Sequence, residues 1–162
     1  MFKTLALTIL AFTAVTVKAD ISDFPSFDWT HANCAMDATY PGQTCDSVFN
    51  TMHTLLTQYQ QGDPGKGIYA FYDVSSTGKY IWVTRTTPVK KYVDDIAFEF
   101  AQQGNDCVVK SRSRSQSLSY YDYSTNYCNM WNPLHYTGNF VNHNVHDCKF
   151  PADDPATICN KY

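Results

Sequence analysis

Cys107-Val108-Val109-Lys110-Ser111-Arg112-Ser113-Arg114-Ser115-Gln116-Ser117-Leu118-Ser119-Tyr120-Tyr121 is the stretch that decides the architecture. Its odd positions carry Cys107, Val109 and then Ser111, Ser113, Ser115, Ser117 and Ser119, while the even ones include Lys110, Arg112, Arg114 and Gln116. Alternation is the period of a β-strand, in which successive side chains point to opposite faces. One face is therefore small and hydroxylated, and the other long and charged. A small face is expected where a strand lies close beneath a helix or crosses another backbone. A flat hydroxyl array for ice or a glycan is the alternative.

Upstream, Tyr92-Val93-Asp94-Asp95-Ile96-Ala97-Phe98-Glu99-Phe100 reads in two ways. As a helix it gathers Val93, Ile96, Ala97 and Phe100; as a strand it sets Ile96, Phe98 and Phe100 against Ala97 and Glu99. The alternation is cleaner, and Gln102 to Asp106 makes a turn, so a strand is expected over Asp94–Ala101. Gly67–Val74 and Lys79–Thr86 form a hairpin around Ser75 to Gly78. Before it, Val48, Met52, Leu55, Leu56 and Tyr59 recur every three or four residues, one apolar stripe of a helix over Asp46 to Gln60 capped by Thr44 or Asp46. Gly62-Asp63-Pro64-Gly65 ends it. Asp20 to Tyr40, aromatic at Phe24, Phe27 and Trp29 and with Pro25 and Pro41 discouraging regular structure, reads as irregular. Ser124 to Trp131 reads as a short second helix, capped by Ser124 or Thr125 and stopped by Pro133, and His135 to Tyr162 as a polar, loop-like tail. The expected fold is α+β: an N-terminal helix packed on a four-stranded antiparallel meander of Gly67–Val74, Lys79–Thr86, Asp94–Ala101 and Cys107–Tyr121, with a short second helix and disulfide stabilisation.

Tyr92-Val93-Asp94-Asp95-Ile96-Ala97-Phe98, then Arg112-Ser113-Arg114-Ser115, then Asp122 and Asn126, follow one another along the chain. In that order the segment from Tyr80 to Asn126 resembles an uncharacterised family, the domain of unknown function numbered 1499. There a Val-Asp-Asp strand precedes a strand of alternating Arg and Ser, an Asp-x-x-x-Asn pair and a closing helix. The resemblance implies this strand order and favours a strand for Tyr92 to Phe100. It implies no activity.

Residues 1–19 read as a cleavable secretory signal: a basic start ending at Lys3, an apolar run from Leu5 to Val15, and Val17-Lys18-Ala19 before a cleavage point. The run is too short to span a bilayer, which takes about 20 apolar residues. The expectation is one secreted domain over residues 20–162, in the extracellular space or a secretory lumen, with no membrane span. Without Lys3 and Lys18, ten basic residues face fifteen acidic ones, and only Lys110, Arg112 and Arg114 cluster, which argues against a nucleic-acid partner.

In an oxidising compartment Cys34, Cys45, Cys107, Cys128, Cys148 and Cys159 are expected to form three bridges. Ten residues separate Cys34 from Cys45 and Cys148 from Cys159, so local pairing is the simplest expectation, leaving Cys107 with Cys128.

The catalytic readings are thin. His143 and His146, with His135 as a third candidate, are the one set of side chains with metal-ligand character. Asp94, Asp95 and Glu99 could supply paired carboxylates, but neighbours on a strand face opposite ways. One is expected to pair with Arg112 or Arg114 across the strands, and Asp95 buried beside such an Arg would orient a ligand. No G-x-S-x-G elbow supports a serine hydrolase. No cofactor is expected. Twelve Tyr, ten Phe and three Trp give more aromatic surface than a core needs, and Tyr120, Tyr121, Tyr123 and Tyr127 crowd the end of the longest strand. The leading expectation is a non-enzymatic binding domain for a small amphipathic molecule or a glycan. A structural or self-associating extracellular protein is the alternative, followed by a metal-dependent or serine hydrolase.

Overall fold

A computed structural model describes residues 20–161. The expected signal, residues 1–19, lies outside them. The strands are β1 (Asn33–Tyr40), β2 (Ile68–Val74), β3 (Tyr80–Thr86), β4 (Val93–Gln103), β5 (Asp106–Ser115) and β6 (Val141–His146). They form one antiparallel sheet of six strands rather than four, in the order β2-β3-β4-β5-β1-β6. The expected meander is present as β2 to β5. The additions are β1, which lies inside the sheet between β5 and β6, and β6 itself. No alternation marks Asn33–Tyr40, because its residues are mostly small and it is buried on both faces in places.

The helix α1 (Cys45–Gln58) starts where Thr44 accepts the Ser47 amide at 3.3 Å, with Asp46 in the first turn facing the positive end of the helix dipole. It buries Cys45, Val48, Met52 and Leu56 against the sheet. A 3-10 turn, Tyr59–Gln61, then ends at Gly62, whose φ of 125° suits glycine.

The second helix, α2 (Thr125–Thr137), corrects two expectations. Ser124 stands at its N-cap position but makes no side-chain cap bond; Asp122 does that work, its Oδ2 accepting the Asn126 amide at 3.0 Å. Pro133 lies inside the helix instead of ending it. The price of that proline is met by Tyr69, whose hydroxyl donates at 2.9 Å to the Asn129 carbonyl, the acceptor four residues back that proline cannot serve. A short α3 (Pro155–Ile158) follows β6 in the segment expected to be loop.

Both long helices cover one face of the sheet. Met36, Tyr40, Val48, Met52, Leu56, Ile81, Val83, Ile96, Phe98, Met130 and Leu134 fill the space between. The opposite face carries a smaller cluster of Phe24, Trp82 and Ala97 beneath the N-terminal segment. The serine face of β5 lies under α2: Ser113 donates to Asn126 at 2.7 Å, and Ser111 to the Met36 carbonyl on β1 at 2.7 Å.

The bridges are Cys34–Cys148, Cys45–Cys107 and Cys128–Cys159, so neither expected local pair forms, nor does the remaining Cys107–Cys128 pair. The reason is topological. Pairing of β1 with β6 sets Ala35 opposite His146 and brings Cys34 to Cys148, 114 residues away. Three disulfides, and no helix among the described residues long and apolar enough to cross a membrane, are compatible with an extracellular protein.

Candidate functional site

The sheet register aligns Arg85 on β3, Asp94 on β4 and Ser115 on β5 across neighbouring strands, all on the face that α2 covers. Arg85 is fully buried, and its Nε and Nη2 donate to the two oxygens of Asp63 at 2.8 and 3.2 Å. Its Nη1 donates to Asn129 Oδ1 at 3.2 Å. Asn129 Nδ2 in turn donates to Asp94 Oδ2 at 2.8 Å and to Ser113 Oγ at 3.0 Å. Asn126 continues the chain, donating to Ser115 Oγ at 3.2 Å and to Asp122 Oδ2 at 2.9 Å. A buried polar network thus runs from Asp63 to Asp122, with each buried amide placed by α2 and satisfied by the strands, as an apolar surround demands.

The network ends at a pocket of about 450 Å³ between the β3–β4 loop and the segment that follows β5. Asp94, Ser115, Asp122 and Thr125, with Lys90 and Lys161, contribute polar lining, and Val89, Tyr92, Leu118, Tyr121 and Tyr123 apolar lining. Asp94 is only 2% exposed. Burial raises its pKa above the usual carboxylate range, against the lowering pull of the Asn129 and Ser115 hydrogen bonds and the Arg85 charge. Backbone strain collects around the opening. Tyr123 and Ser124 are consecutive left-handed residues at φ 51° and 67°, and Lys91 in the β3–β4 loop has φ 58°. Such conformations persist only where the surroundings enforce them.

Of the four tyrosines singled out in the sequence, Tyr121 and Tyr123 line this pocket. Tyr120 packs on Tyr121 at 5.0 Å between ring centroids, just outside it. Tyr127, on α2, is a buried core residue. Asp95, Arg112 and Arg114 belong to the opposite face. Asp95 accepts the Trp82 indole N–H at 3.1 Å. Arg112 pairs with Glu99 at 3.1 Å and lies 4.6 Å above the Phe24 ring, and Arg114 pairs with Asp28 at 2.6 Å. Together these residues seat the N-terminal segment on the sheet.

His135 stands on α2, whereas His143 and His146 both stand on β6. His135 stacks on Trp131 at 4.3 Å, and His143 lies beside Tyr127 and Phe140, where burial lowers its pKa. His146 contacts Asp147 at 3.0 Å and Asp37 at 3.8 Å. Among the described residues, no group of three or more His, Cys, Asp or Glu side chains is arranged to hold a metal ion.

Sequence reading missed Arg85, Asp63 and Asn129. Two signals were present. Arg85 shares strand parity with Ile81 and Val83, a charge on an apolar face. Asn126, Asn129 and Asn132 recur every three residues, a polar stripe on one side of a helix, and all three are fully buried.

This arrangement defines an α+β sheet protein, disulfide-bridged, with a buried polar network opening into a pocket. The chain matches the family model described as "Protein of unknown function (DUF1499)" over residues 17–130, and it belongs to that family. The match takes in β1 to β5, α1 and the start of α2, and so every network residue from Asp63 to Asn129. Among curated proteins, none matches the chain.

Proposed function

We propose that the protein binds a small amphipathic molecule in the pocket above Asp94, without turning it over. The observation that carries this reading is the mixed lining of one pocket, which brings oxygens of Asp94, Ser115 and Asp122 together with the apolar surface of Val89, Tyr92, Leu118, Tyr121 and Tyr123. A concave apolar surface with a few converging polar groups is the usual form of a small-molecule site. The polar side offers carboxylates and hydroxyls, so the ligand head is a hydrogen-bond donor, a polyol or an amine. An anionic head set against Asp94 and Asp122 meets their repulsion; Lys90 and Lys161, which also line the pocket, are solvent-exposed.

Titration calorimetry with decyl glucoside, decylamine and decanoate, each below its micelle concentration, tests the reading. The expected result is one-to-one binding of the first two, with decanoate weaker by roughly ten-fold or more. Absence of saturable binding by all three, or a preference for decanoate, refutes it.

A further inference from the structure

The mouth of the pocket is unusual in what it leaves in solvent. Six large hydrophobic side chains stand exposed on its two framing loops: Val89 and Tyr92 after β3, and Leu118, Tyr120, Tyr121 and Tyr123 after β5. Val89 is 83% exposed and Leu118 79%. Single exposed apolar residues are ordinary, whereas a group gathered on one rim marks a contact surface.

The charge of the same rim runs against that of the protein. The whole chain has a formal net charge of −3. Yet Lys90 and Lys161 line the pocket, Lys91 adjoins Lys90, and Lys149 lies 4.3 Å over the Tyr120 ring. The acidic side chains in the pocket are turned inward, Asp94 buried beneath α2 and Asp122 bonded to Asn126. Asp153 and Asp154, beyond Phe150, are not among the residues that line it.

We propose that this rim docks on an anionic lipid bilayer. Val89 and Leu118 enter the interface, the tyrosines take the headgroup level where amphipathic rings are favoured, and the four lysines meet lipid phosphates and carboxylates. A second copy of the chain fits less well, because a two-fold contact through this patch sets lysines against lysines. The docking stands independently of what the pocket holds, and it would place the pocket mouth at the surface where amphipathic molecules reside.

The test is flotation of the disulfide-intact protein with vesicles of phosphatidylcholine, with and without phosphatidylserine. Binding to the phosphatidylserine vesicles is expected, weaker by on the order of ten-fold without the anionic lipid and weakened by added salt. Leu118→Glu, and separately Lys90→Glu with Lys91→Glu, should each reduce it by a similar factor while the circular dichroism spectrum stays unchanged. Lys66→Glu with Lys79→Glu, away from the rim, should leave it intact. No vesicle binding, or binding indifferent to Leu118→Glu and to the anionic lipid, overturns the proposal. So does concentration-dependent dimerisation that Leu118→Glu abolishes, since that result assigns the rim to a second copy.

Discussion

Tyr69 on β2 donates its hydroxyl proton to the Asn129 carbonyl in the middle of α2, the acceptor that Pro133 leaves without a helical partner. The same residue, Asn129, joins Arg85 to Asp94 through its side chain. The phenol therefore does two things. It makes an interior proline tolerable, and it fixes the backbone from which the network amide projects. Tyr69→Phe should destabilise the protein by about 1–3 kcal/mol, the cost of a buried carbonyl left unsatisfied. In a Pro133→Ala background, residue 133 regains its N–H and the loss should shrink. Urea denaturation of the four combinations measures the coupling, and equal losses in both backgrounds would remove Pro133 from the account.

Arg85 leaves no room for a side chain at Gly67. A Cβ there would lie 2.3 Å from the Arg85 Nε and Cζ, while Asp63 holds the guanidinium and also accepts the Gly67 amide at 2.7 Å. Gly67→Ala should cost about 1–3 kcal/mol through overpacking. Arg85→Met should cost about 3–5 kcal/mol, because it strands the Asp63 carboxylate in the core. With Arg85 replaced, the penalty of Gly67→Ala should largely vanish.

Two carboxylates shift in opposite directions and so act oppositely on the pH dependence of stability. Asp94, raised by burial, binds its proton more tightly folded than unfolded. Its contribution to stability therefore falls as pH climbs from the unfolded carboxylate value, about 3.9, through the higher folded one. Asp28 is held well below the ordinary range by the Arg114 guanidinium, helped by Thr30 and His31. It adds stability above about pH 3.9 that is lost on acidification. Asp94→Asn should thus be more stable than the parent at pH 7, with the difference closing as pH approaches 3. Thermal melts across that range check the sign. A parent that gains on Asp94→Asn as pH rises would contradict it.

The Cys128–Cys159 bridge ties the C-terminal segment to α2 across 31 residues of chain and so holds the Lys161 end against the pocket. Replacing both cysteines with serine should cost about 2–4 kcal/mol. It should also open the segment after β6 to proteolysis before the rest of the sheet. Peptide mapping of the intact protein should recover Cys34 with Cys148, Cys45 with Cys107 and Cys128 with Cys159; local pairs would contradict the β1–β6 register.

The sheet from β2 to β5 was legible because alternation survives in residues such as Ile96, Phe98 and Phe100 and in the Ser/Arg ladder of β5. β1 was not, because Cys34, Ala35, Met36 and Ala38 are packed on both sides and show no period; with it went the disulfide pattern, which depends on β1 lying beside β6. For the site, parity alone separates Asp94 from Asp95 but cannot say which of them faces the helices. Asp95 shares the outer face with Arg112 and Arg114, and it stands opposite Arg114. Crowding points to Tyr121 and Tyr123, which line the pocket, whereas Asp63 reaches the network from a turn whose visible role in the sequence is to end a helix.

A small amphipathic molecule is the proposed occupant of the pocket above Asp94. The most direct measurement is a titration of the isotopically labelled protein with decyl glucoside, followed by amide chemical shifts. Saturable changes are expected at Tyr92, Asp94, Ser115, Leu118 and Tyr123. Changes confined to the opposite face around Phe24 and Trp82, or none that saturate, would contradict it.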